Sequence, residues 1–187
     1  MRNMIFEKPI VTPQLALIIQ VIITVIGTGA IINFSTLVFA TAGGPEQQFT
    51  AKLFGDMEVP PVETNATGLA EFRPILNENT ITYTLNVTDI DNVTAAHIHS
   101  GKHDQNGPII VTLFKSNTPT PKMVSGLLSE GDITASDLKG PIAGKQLSDL
   151  LSSMHSMDVY VNIHTIQYPN GEIRGQISNV TSGMMMK

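Results

Sequence analysis

The chain has 187 residues, no cysteine and a formal net charge of −5. Without cysteine it forms no disulfide and offers no thiolate to a metal. Its Lys and Arg residues are scattered singly beyond the N-terminal segment, so no basic patch points to a nucleic-acid partner.

Residues 15–40 read LALIIQVIITVIGTGAIINFSTLVFA, 26 positions without a charge. A bilayer core needs roughly 20 such residues, so the segment is either an uncleaved anchor or a signal peptide. Arg2 and Lys8 precede it and predict a cytoplasmic n-region over 1–14. Val38-Phe39-Ala40 is a small-residue pattern of the kind signal peptidases cut. Either way the rest of the chain lies outside the cytoplasm, held at the membrane through 15–40 or secreted.

Residues 41–48 form a Gly/Pro/Gln-rich linker. Strands are then predicted at Thr50–Phe54 and Gly68–Ile75, with Pro60 and Pro61 disfavouring a ladder between them. Thr80–Asp89 alternates cleanly, Ile81, Tyr83, Leu85 and Val87 facing in. Val93–His99 and Pro108–Lys115 follow. Leu147, Leu150, Leu151 and Met154 then take helical spacing. Val159–Thr165 and Gly171–Ser178 are the last strands, joined through Tyr168-Pro169-Asn170-Gly171, a hairpin signal. Many short strands at even spacing predict an all-β sandwich or small barrel with one short helix. Residues 179–187 are expected to be a disordered tail.

Two segments carry the chemistry, Ala96-His97-Ile98-His99-Ser100-Gly101 and Val161-Asn162-Ile163-His164-Thr165. Residues i and i+2 of a strand project from one face, so His97 and His99 point together, with Ile98 opposed to them as Ile163 is to His164. Three neutral imidazoles suit copper or zinc. His103, in a Gly/Asn loop, is a candidate fourth ligand. Asn162 shares the His164 face and is a candidate outer partner of a ligand ring. Glu172 is, with Asn162, a candidate outer residue of the site; it shares a strand face with Arg174 and is alternatively a candidate to pair with it. Alternatively, Asn162, His164 and Arg174 form a polar network that holds two strands and a loop in register.

Seven ordered blocks resemble the CHRD family, the domain type named after chordin and found alone in many bacterial and archaeal surface proteins. They are Phe54-Gly-Asp-Met-Glu-Val-Pro-Pro61, Ala66-Thr-Gly68, Ala96-His-Ile-His-Ser-Gly101, Asn106-Gly-Pro108, Asp137-Leu with Gly140-Pro, Tyr160-Val-Asn-Ile-His-Thr165 and Pro169-Asn-Gly-Glu-Ile-Arg-Gly-Gln176. The resemblance covers residues 49–178 and implies an immunoglobulin-like β-fold without a settled activity. A weaker likeness is to copper–zinc superoxide dismutases, in which a His-x-His strand, a later His and an anion-guiding Arg occur in the order of His97, His99, His164 and Arg174. The bridging histidine, the zinc cluster and the disulfide of those enzymes have no counterpart. Three functions are therefore expected to compete. One is an extracytoplasmic binding module with a protein or glycan partner and one His-coordinated metal. The second is a copper-dependent dismutase-like enzyme using Arg174. The third is a structural envelope protein without metal.

Overall fold

The computed structural model describes residues 47–75, 77–118 and 123–180. The predicted n-region, apolar segment and most of the linker lie outside the described residues, as do residues 181–187. No described helix is long and apolar enough to cross a membrane.

Among the described residues nine strands follow in chain order: β1 (Phe49–Phe54), β2 (Thr67–Ile75), β3 (Thr80–Ile90), β4 (Val93–Ser100), β5 (Ile109–Lys115), β6 (Val124–Ile133), β7 (Val159–Thr165), β8 (Ile173–Gln176) and β9 (Ser178–Asn179). One helix, α1 (Leu147–His155), precedes β7. The strands join in a single antiparallel sheet of order β5-β4-β7-β8-β1-β2-β3-β6, with β9 beside β1. The all-β expectation with one helix holds. In place of the two separate sheets of a sandwich, one sheet curls into a nearly closed barrel, because β1 pairs with both β2 and β8. The two end strands meet at a seam of side chains. The hydroxyls of Tyr83 (2.6 Å) and Ser129 (2.8 Å) both donate to Leu113 O.

Alternation builds the interior. Along β3, Ile81, Tyr83, Leu85 and Val87 are buried while their neighbours are not. Ala96 and Ile98 of β4 face Ile163 and Val161 of β7 in register, and all four are buried. Full burial of Ile and Val side chains such as these stabilises by about 1.5–3 kcal/mol each. The helix contributes Leu147, Leu150 and Met154 to the same core. Its first turn is closed by the Gln146 N–H donating to Asp149 Oδ2 at 2.9 Å.

Strand β6 has no signal in the sequence. Most of its residues are exposed or half-buried, and it contains Gly126 and Gly131, so the alternation that reveals β3 is missing. At the other end, β9 pairs Asn179 with Phe49, which carries ordered pairing one residue past the expected domain end.

Candidate metal centre

The core face of β4 and β7 fixes what the opposite face must carry. Ile98 and Ile163 point into the barrel, so His97, His99 and His164 stand on its outer side. Pairing lays that side out in rows: Lys115, Ala95 and His164; Thr112, His97, Asn162 and Arg174; Ile109, His99, Tyr160 and Gln176. Cross-strand neighbours in such rows stand about 4.5–5.5 Å apart at Cβ.

The three imidazoles converge. Each offers one ring nitrogen, and these nitrogens lie within 4.8 Å of one another. Ring centroids are 5.7 Å apart for His97 and His99, 5.1 Å for His97 and His164, and 5.8 Å for His99 and His164. The tautomers of two rings are set by the backbone. His99 Nδ1–H donates to Gly107 O at 2.9 Å, and His164 Nδ1–H donates to Pro169 O at 3.0 Å. That leaves Nε2 of both rings as a lone-pair donor, the arrangement that orients a metal-ligating histidine. His97 Nδ1, His99 Nε2 and His164 Nε2 are all buried without a hydrogen-bond partner. Buried nitrogens without a partner on all three neighbouring rings are costly unless something accepts their lone pairs.

Burial keeps these rings neutral. It pushes the His97 pKa down to about 4, helped by its histidine neighbours and by Lys139 and Lys115. It lowers His99 and His164 as well, against the opposing effect of their bonds to Gly107 and Pro169. A neutral imidazole is the form that binds a metal.

Two loops roof the histidine face. The 101–108 loop between β4 and β5 is clamped by Arg174, which donates to Lys102 O (2.6 Å), Gln105 O (2.9 Å) and Asn106 Oδ1 (3.0 Å). Arg174 is 1% exposed, and its guanidinium carbon lies 3.4 Å from the centroid of the Tyr160 ring. Tyr160 stacks on His99, and its hydroxyl accepts the Gly107 N–H at 3.1 Å. The same glycine presents the carbonyl that holds His99. A Cβ on Gly107 would lie 1.6 Å from Ser100 O, so any other residue there would displace the loop.

The second roof is the segment after β1. Asn106 Nδ2 donates to Val59 O at 2.6 Å, tying the two loops together. Glu58 is buried beneath and accepts both its bonds from Asn162 Nδ2, each 3.0 Å long. Burial raises the Glu58 pKa to about 7, against the opposing pull of Arg174 and the Asn162 bond. Gly171 makes room for this pair: at φ +131°, a Cβ there would lie 2.4 Å from Asn162 Nδ2 and 2.6 Å from Glu58 Oε1.

The remaining candidates fall in other places. His103 is exposed and lines a separate surface cleft with Lys52, Met57 and Arg174; the three-histidine group does not include it. Asn162 turns its amide N–H to Glu58, with Oδ1 unpartnered. Glu172 accepts from Thr64 (2.8 Å) and Thr165 (2.7 Å), while the Arg174 guanidinium goes to loop oxygens. Glu58 escapes a sequence reading because a single acid before Val59-Pro60-Pro61 looks like a solvated turn. Its one signal is the apolar company of Met57 and Val59.

Residues 49–177 match the family model of the CHRD domain. No curated protein and no solved structure matches the chain.

Proposed function

Because the chain belongs to the CHRD domain family, we propose that residues 49–180 are an extracytoplasmic binding module that holds one metal ion through His97, His99 and His164. The family supports an extracellular or secreted setting, and the uncharged run at 15–40 supports export or membrane attachment. The observation that carries the metal reading is the convergence of three buried ring nitrogens without a hydrogen-bond partner.

The donor set favours copper or zinc: three imidazoles, no thiolate, no carboxylate in the group. Gly107 O and Pro169 O supply the outer bonds that hold two of the rings. When bound, either ion would supply an electrophilic centre with a position left open for a fourth ligand. A recognition surface for a protein or glycan partner would surround it on the roof loops. The dismutase-like alternative asks Arg174 to guide an anion, and the three loop oxygens that the guanidinium holds speak against that role.

Metal content tests the reading. The purified full-length protein, prepared without a metal-binding tag and exposed to copper or zinc, should retain about one equivalent. His99→Ala and His164→Ala should each abolish retention while the far-ultraviolet circular dichroism stays that of a folded sheet. A wild-type protein that retains neither ion sinks the proposal and leaves a structural polar network.

A further inference from the structure

Three neutral imidazoles bring no negative charge to a divalent ion. The two buried carboxylates among the described residues are both committed elsewhere, Glu58 to Asn162 and Glu172 to Thr64 and Thr165. Charge compensation has to come from solution, and the side on which it arrives is set by exposure. His99 is roofed by the 101–108 loop and stacked on Tyr160, whereas His97 and His164 are only half-buried. Of these two, His97 borders β5 directly, through its cross-strand partner Thr112.

Two ammonium groups stand there. Thr112 is the cross-strand partner of His97, and Lys139 Nζ donates to the Thr112 hydroxyl at 2.9 Å. Lys139 is fixed near the strand by its own backbone, its N–H donating to Ile110 O at 2.8 Å. Lys115 lies in the row of His164, separated from it by the small side chain of Ala95. Both lysines are exposed, and their charges act on His97.

We infer that Lys139, with Thr112 and Lys115, forms an anion-accepting edge of the three-histidine site, admitting a small inorganic monoanion as the fourth ligand. This inference rests on the metal reading above. It assigns to Lys139 the electrostatic role that buried Arg174 does not fill. An ammonium on an exposed four-carbon stem follows an incoming anion and raises its local concentration. The Thr112 hydroxyl holds that stem toward the histidines.

The test uses the full-length chain carrying one copper(II), with azide as the probe anion. Electron paramagnetic resonance and the azide-to-copper absorption band report binding. Wild type should bind azide saturably. Lys139→Glu should raise the azide Kd about tenfold with copper stoichiometry unchanged, and Lys145→Glu should leave it alone. Rising salt should weaken azide binding to wild type more than to Lys139→Glu. Copper retained with no azide response, or with the same Kd in Lys139→Glu, overturns this inference and leaves the metal reading standing. Failure to retain copper or zinc overturns both.

Discussion

The rings of Tyr160 and His99 lie nearly parallel, 12° apart in plane with centroids separated by 5.1 Å. They are direct cross-strand partners. Tyr160 also supports the carbonyl that holds His99, since its hydroxyl accepts the Gly107 N–H and Gly107 O accepts from His99. Tyr160→Phe keeps the stack and deletes the hydroxyl. It should cost about 1 kcal/mol in urea unfolding and lower metal affinity several-fold. Unchanged affinity would mean that the loop holds His99 without Tyr160.

Arg174 acts as a clamp. Its replacement by Ala strands Lys102 O, Gln105 O and Asn106 Oδ1 and uncovers the Tyr160 face. A loss of about 3 kcal/mol is expected. Lys at this position should recover little, because one ammonium does not reproduce a planar fork that both stacks and donates. Denaturant midpoints for both variants measure this. An Arg174→Lys protein as stable as wild type would return the residue to a surface electrostatic role.

Glu58 and the histidines pull stability in opposite directions with pH. Glu58 has a folded pKa raised to about 7. Folding therefore retains a proton that the unfolded chain gives up, and this contribution to stability declines as pH rises from the ordinary Glu range towards 7. His97 is lowered to about 4. Folding there excludes a proton that the unfolded chain binds, so this contribution grows as pH rises from about 4 to the ordinary His range. The two slopes offset one another across the acid range. Glu58→Gln removes the first, so the variant should gain stability relative to wild type as pH climbs to 7 and above. Unfolding free energies across that range give the answer, and parallel curves for the two proteins would refute it.

Neutral rings also set the proton count of metal uptake. Since burial lowers all three imidazole pKa values, loading at pH 6.5 should release fewer protons than the roughly 1.5 per ion that three ordinary imidazoles would give up. Calorimetry in two buffers of different ionisation enthalpy measures that number. A release of about 1.5 protons would show rings that are solvated and ordinary.

Gly107→Ala is the sharpest structural probe. Its Cβ would collide with Ser100 O, so the 101–108 loop must shift and take Gly107 O away from His99. Metal retention should fall by more than tenfold even where the sheet survives, which near- and far-ultraviolet circular dichroism can separate. Normal retention by a folded Gly107→Ala protein would show that His99 needs no carbonyl partner.

Much of the scaffold is legible in the sequence, and the reason is periodicity. The alternation at Thr80–Ile90 and the opposition of Ile98 to His97 and His99 follow from a two-residue repeat with one face in the core. The same rule places His164 beside them once β4 and β7 are neighbours. What resists reading is long-range. Gly107 and Pro169 carbonyls reach the rings from loops, Glu58 comes from 104 positions before its partner Asn162, and the loop oxygens that Arg174 holds lie about 70 positions before it. Strand β6 is silent because its residues mostly face water.

The seam at Leu113 gives the molecule a line of least resistance. Hydroxyls from Tyr83 and Ser129 latch β5 to the far edge, where other neighbouring strands share backbone ladders. Under mechanical load or denaturant the cylinder would unroll there first, into an open ribbon, with β4 and β7 still zipped together. The three-histidine face thus lies on strands joined by a backbone ladder and not on the side-chain seam.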